Sequence, residues 1–362
     1  MPDSIAKPAA PFSYTYSANL PELLLRLKCS LVISTYQSGK VIIFSAKDAN
    51  SLVQLPRTFD KPMGMALSGH RLAIANRQEV IVTANASGLA PHYPDKPHTY
   101  DALYIPRATY YTGEVDIHDL KWVGDKLLAV NTAFSCLSVI DEDYSFRPVW
   151  KPPFISALKP EDRCHLNGLA LANGKPAYVT ALGSGDSPQS WRTDMLKGGI
   201  LMGVDSSELI LDRLPVPHSP RVVNGRLLLL LSATGELVEV DKAKGSYEVI
   251  TRFRGFVRGM EQFGDYLFIG LSRLRPGSTL FTEAPIAKSA NHCGIAIVHL
   301  PTGKQVAELV YTATVEELYD VGVLPGQLRP NILNTNKNYH TLAVVTPQEV
   351  FWRQPETPAN PS

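Results

Sequence analysis

The strongest constraint on what this chain can fold into is a unit that it repeats: an apolar run, a two-residue turn, and a second apolar run. The unit occurs at residues 65–67 and 71–76 around Ser68-Gly69, at 120–123 and 126–131 around Gly124-Asp125, and at 169–172 and 176–181 around Asn173-Gly174. It returns at 221–223 and 226–231 around Asn224-Gly225, and at 260–263 and 266–271 around Gly264-Asp265. A sixth first run, 320–324, ends at Pro325-Gly326. Gly, Asn and Asp tolerate the positive φ of tight hairpin turns, so each unit reads as a β-hairpin. A third run follows most of the pairs, at 80–83, 136–140, 200–204, 236–240 and 294–298. Three or four strands in every 40–50 residues or so is the period of a β-propeller.

Six first strands predict an all-β, six-bladed β-propeller; a further strand pair within 342–352 leaves seven blades open. The N-terminal run 31–36 resembles a second strand, 229–232, and has no first strand of its own. The C-terminal run 320–324 can supply it, closing the ring and removing open sheet edges. A short helix is expected over 19–28, with Asn19 as cap and Pro21 in its first turn. The expected organisation is a flexible arm, 1–16, one propeller domain, 17–353, and a flexible tail, 354–362.

Composition restricts the partners. The 362 residues are 44% hydrophobic and carry a net charge of +1, with no basic stripe, which argues against nucleic acid and anionic membranes. No apolar run approaches a membrane span, and Met1-Pro2-Asp3-Ser4 does not open a signal peptide. None of the four cysteines is in CxxC spacing. These features predict a cytoplasmic protein with reduced thiols and a small-molecule or peptide ligand, and leave its oligomeric state open.

The repeat also concentrates chemistry. His118, His165 and His218 each stand at the start of a first strand. Aligning the units by their turns brings Asn167 and Arg258 to the level of His118 and His218, with His165 two residues ahead of Asn167. Met63 and Tyr319 or Asp320 take the same level in the remaining units. Strand starts and the loops from second to third strands, 131–135, 183–199, 232–235 and 272–293, belong on one face of the ring. Three imidazoles converging there are a candidate site for a divalent transition metal, Zn²⁺, Fe²⁺, Mn²⁺ or Cu²⁺. Asp119, Glu317, Asp320 and Tyr319 are candidate catalytic groups beside it. Arg258, Arg221, Arg273 and Asn167 are candidates for holding a substrate, with Trp191 and Arg192 on a lid over the channel. The competing reading is that histidines at strand starts bond nearby loop carbonyls. Cys164, beside His165, reads either as a nucleophile or as a small buried filler. The Glu161-Asp162 pair reads as solvated surface.

Several stretches resemble a bacterial family of conserved hypothetical proteins. They are His118-Asp119-Leu120, Glu161-Asp162-Arg163-Cys164-His165-Leu166-Asn167-Gly168, Pro217-His218-Ser219-Pro220-Arg221 and Glu317-Leu318-Tyr319-Asp320-Val321. The resemblance runs from about 118 to 330 and implies a propeller of unassigned function, so the reaction must be argued from residues. The leading expectation is an enzyme with a histidine-bound metal at the channel mouth, acting on a small or peptidic substrate as a hydrolase, a lyase, or an oxidase or oxygenase. The alternative is a non-catalytic propeller that binds a protein, peptide or metabolite through the same face.

Overall fold

A computed structural model describes residues 10–274 and 281–354. Six antiparallel sheets form the blades of a β-propeller. The innermost strands are Asp320–Pro325, Met65–Ser68, Ile117–Val123, Leu166–Ala172, Pro217–Val223 and Phe256–Phe263, in blades one to six. Blade one closes the ring. Its innermost strand comes from the C-terminal part of the chain and pairs with Cys29–Thr35, Leu31 opposite Val323 and Ser34 opposite Asp320. The hairpin turns have the conformation that their residues favour: Asn173-Gly174 and Asn224-Gly225 all lie at positive φ.

Alternation along these strands buries both faces of each blade, and apolar side chains fill the six seams between neighbours. Leu128, Val130, Leu169 and Val179 occupy one seam, for instance, and Leu201, Leu229 and Val238 the next. The cores thus lie between blades, leaving the two ends of the channel to polar residues.

The structure differs from the sequence expectations at the periphery. Each blade has a fourth, outer strand, such as Arg147–Trp150 and Leu209–Leu214, which the apolar pattern did not reveal because much of it faces solvent. Part of the expected N-terminal arm, Tyr14–Tyr16, pairs with Lys304–Tyr311 and covers the edge of blade six. Pro330–Ile332 runs parallel to Ala102–Tyr111 and covers the edge of blade two. The pair within 342–352 makes no seventh blade. It is a small hairpin, Ala343–Val345 with Val350–Trp352, and Trp352 Nε1 donates to the Leu89 carbonyl. The helix is Leu20–Leu27, ended by Lys28 in the left-handed region. Asn19 holds the N-cap position, but its side chain does not cap the helix; its amide donates to the Val306 carbonyl. Among the described residues no helix is long and apolar enough to cross a membrane.

Candidate functional site

The channel mouth on the loop side opens into a cavity of about 510 Å³, lined by His118, His165, His218, Arg258, Glu317 and Tyr319 together with Trp191, Arg192, Arg273 and Phe256. Its polar floor follows from a three-fold alternation in the innermost strands. Blades three, five and one carry His118-Asp119, His218-Ser219 and Tyr319-Asp320; the intervening blades carry Met63-Gly64, Asn167-Gly168 and Arg258-Gly259. The glycines let adjacent strands meet. A Cβ on Gly64 would lie 2.9 Å from the Asp119 Cα, and one on Gly259, at φ +75°, would lie 2.8 Å from the Asp320 Cα.

His118 and His218 are held in the same way. Each Nδ1 faces the carbonyl two residues earlier, at 3.1 Å from Asp116 and 3.3 Å from Val216. Both of those residues have positive φ, a strained conformation for the β-branched Val216. Each Nδ1 also lies 2.8 Å from a hydroxyl, of Thr132 or Ser232. That hydroxyl gives its one proton to a carbonyl of the next blade, Leu166 at 2.5 Å or Val257 at 2.6 Å. It can therefore only accept from the imidazole, so Nδ1 carries the proton and Nε2 bears the lone pair. His165, at φ +53°, directs Nδ1 to the Asp162 carboxylate at 2.9 Å. Trp191 donates to the same carboxylate at 3.0 Å and packs on His165 with ring centroids 4.4 Å apart. The His118 and His165 rings stand edge to face at 4.7 Å. None of the three Nε2 atoms makes a hydrogen bond to a described residue. Burial, followed by the nearby His165 and Arg258, holds His118 well below the usual imidazole range; burial, followed by Arg258 and His118, does the same for His218. Both rings are neutral at pH 7.

Across the cavity, the Arg258 guanidinium lies 3.6 Å above the Tyr319 ring, with Nη1 3.8 Å from Glu317. Tyr319 is 4% exposed, and its hydroxyl has no hydrogen-bond partner among the described residues. Burial pushes this phenol well above its usual range.

The structure places Asp119, Asp320, Arg221 and Asn167 away from this cavity and commits Arg273, Trp191 and Arg192 at its wall. Asp119, expected beside the metal, lies below it. It accepts hydrogen bonds from Lys121 at 2.7 Å, Leu169 N–H at 3.2 Å and Arg221 at 3.3 Å. Asp320 likewise accepts from the N–H groups of Met65 and Val321, both at 2.9 Å. Arg221 donates to the carbonyls of Met260 and Pro220 as well as to Asp119, so its guanidinium ties blades together. Lys121, Arg221 and Asp320 border the opposite channel mouth, beside the hairpin turns. Asn167 bridges Thr180 and the Pro217 carbonyl. Arg273 reaches the cavity but donates to the carbonyls of Asn291 and Tyr311. Trp191 is not on a loose flap: it packs with Leu182, Met195, Val216 and Phe256, and Arg192 stacks on its outer side at 4.4 Å. Cys164 is buried and its thiol is pushed up to about 12, as a core residue and not as a nucleophile.

Sequence reasoning missed Asp162, taken for surface, and the hydroxyls of Thr132 and Ser232. The signal was present: each hydroxyl follows its histidine by 14 residues. Ser272 follows Arg258 by the same interval and donates to Leu318. Among the described residues, no group of three or more His, Cys, Asp or Glu side chains is placed to hold a metal ion.

Residues 18–333 match the family described as Domain of unknown function (DUF4915). No curated protein matches the chain. Among solved structures it is similar to a chain in the crystal structure of a nidogen/laminin complex, with 9% identity and a TM-score of 0.49, over 83% of this chain and 99% of that one.

Proposed function

We propose that this chain, which belongs to the family Domain of unknown function (DUF4915), carries an active site for a small or peptidic substrate at its loop-side channel mouth, where His118, His165 and His218 hold a divalent transition metal. The observation that carries this reading is the anchoring of all three imidazoles by Nδ1, which leaves every Nε2 without a partner among the described residues. Metal-binding histidines are characteristically oriented in this way by carbonyl, hydroxyl or carboxylate partners. Two of the rings are already neutral, so metal displaces no proton from them. Bound there, Zn²⁺, Fe²⁺, Mn²⁺ or Cu²⁺ would supply a Lewis acid that polarises a carbonyl or acidifies water. The protein's own part is to orient the imidazoles, to exclude water with Trp191 and Phe256, and to present Arg258 and Tyr319 to the substrate.

A second reading, non-catalytic binding of a ligand by the same cavity, is favoured by the absence of a preassembled three-ligand cluster among the described residues. Elemental analysis and calorimetric titration of chelator-treated, tag-free protein with Zn²⁺ separate the two. The metal reading expects one equivalent per chain, and its loss in His165→Ala with the thermal midpoint within a few degrees of wild type. No bound metal in the wild-type protein would leave the binding reading.

A further inference from the structure

We propose that Arg258 and Tyr319 form a carboxylate-recognition corner, and that the cavity takes a small monoanionic carboxylate with a flat apolar body. The inference rests on the reading that this cavity receives a small ligand, and it does not require the metal.

Three cavity-lining arginines are described, and two are engaged. Arg273 donates to backbone carbonyls, and Arg192 donates to Gln189 and stacks on Trp191. Arg258 donates no hydrogen bond to any described residue. Its nearest carboxylate atom, Glu317 Oε1, stands at 3.8 Å, beyond hydrogen-bond range, and the guanidinium is positioned by stacking on Tyr319. Stacking fixes the plane of the fork while leaving its in-plane N–H groups free, the arrangement that suits bidentate recognition of a carboxylate. The Tyr319 hydroxyl is the second, independent sign. A buried O–H without a partner costs stability unless something else accepts its proton. A phenol hydroxyl has one proton to donate, and no described residue accepts it here.

The surroundings select among anions. The fork N–H groups of Arg258, which bond no described residue, and the Tyr319 hydroxyl together match the two oxygens of a carboxylate. Arg258 is the one arginine among the described lining residues with every N–H group uncommitted to a described residue, and a phosphate dianion would bring two negative charges beside the carboxylates of Asp116 and Glu317. The Nε2 atoms of His118 and His218, which bond no described residue, can accept from a ligand O–H or N–H. Trp191, Phe256 and Phe281 supply apolar wall for a planar body, and a cavity of about 510 Å³ suits a small molecule.

The test is calorimetric and ligand-observed NMR titration of the full chain, metal-free and Zn²⁺-loaded, with phenylacetate and 3-phenylpropionate against their uncharged primary amides. At least one acid is expected to bind about tenfold or more tightly than its amide. Arg258→Lys, which keeps the charge but loses the planar fork, should weaken the acid by about tenfold and leave the amide unchanged. Tyr319→Phe should weaken the acid by a smaller factor with an unchanged thermal midpoint, which also excludes misfolding as the cause. Equal binding of acid and amide, full affinity in Arg258→Lys, or no binding of either acid in both metal states overturns the proposal. Failure of the metal reading shows separately, as acid binding by a protein that retains no metal.

Discussion

Two levels of the same channel, one residue apart in the chain, are used in opposite ways. At the mouth stand His118, His218 and Tyr319; one step inward stand Asp119, Ser219 and Asp320. Every member of the inner level accepts a hydrogen bond from a neighbouring blade: Asp119 from Leu169 N–H, Ser219 from Gly259 N–H, and Asp320 from Met65 N–H. At the mouth, by contrast, the Nε2 atoms and the Tyr319 hydroxyl bond no described residue. Backbone N–H groups inside a packed ring must be paired, so the inner level carries closure. The mouth level is supported from behind and keeps its outward atoms for something else. The comparison teaches that polarity in a channel is no sign of function until its partners are counted.

The largest expected effect is at the inner level. Asp119→Ala removes a buried carboxylate, leaves the half-buried Arg221 and Lys121 without it, and takes away the acceptor for Leu169. Breaking a buried pair in this way costs about 3–5 kcal/mol, read as a lower urea midpoint. If the variant denatures with the wild-type midpoint, the division between levels is wrong.

Next in size is a pH effect at Asp320. Burial, then the neighbouring Asp119, raises its carboxyl from 3.8 to about 6. The folded state therefore holds this proton more tightly than the unfolded chain. The associated stability is fully present below the ordinary aspartate range and is lost as pH rises through about 6. The loss is of order 2–3 kcal/mol across the window from about 4 to 6. Asp119, whose burial is outweighed by Lys121 and Arg221, is held below the usual range and acts oppositely at lower pH. The quantity to measure is thus the difference in unfolding free energy between wild type and Asp320→Asn from pH 4 to 7. It should shift in favour of the variant as pH rises; a pH-independent difference would remove Asp320 from this account.

What was legible in the sequence follows the same division. Turns such as Asn173-Gly174 declare themselves because positive φ restricts residue choice locally, and buried inner strands declare themselves by apolar runs. Arg147–Trp150 does not, since an outer strand with Arg147, Pro148 and Val149 exposed has no face to alternate against. The histidines were legible because the repeat aligns them. Asp119 was misread because two of its partners, Arg221 and the Leu169 N–H, come from other blades, and only the closed ring shows that they join Lys121 of its own strand in engaging it. Asp162 was misread for the reverse reason: its charge suggested solvent, whereas the local fold turns it under His165 and Trp191.

The smallest expected effect sharpens the comparison most. Tyr319→Phe removes one oxygen and keeps the ring on which Arg258 stacks and against which His118 packs, with centroids 5.6 Å apart. A buried hydroxyl that has a protein partner typically contributes about 1 kcal/mol, and its removal also orphans that partner. Here no described group loses a bond, so stability should stay within about 0.5 kcal/mol of wild type or rise slightly. Ser219→Ala, one level inward in blade five, takes the acceptor from the buried Gly259 N–H and should cost about 1–3 kcal/mol. Urea denaturation of the two variants side by side measures the contrast on side chains that each lose a single hydroxyl. Equal losses would mean that the Tyr319 hydroxyl is engaged in the fold, and that the mouth, like the level beneath it, is built to hold the ring together.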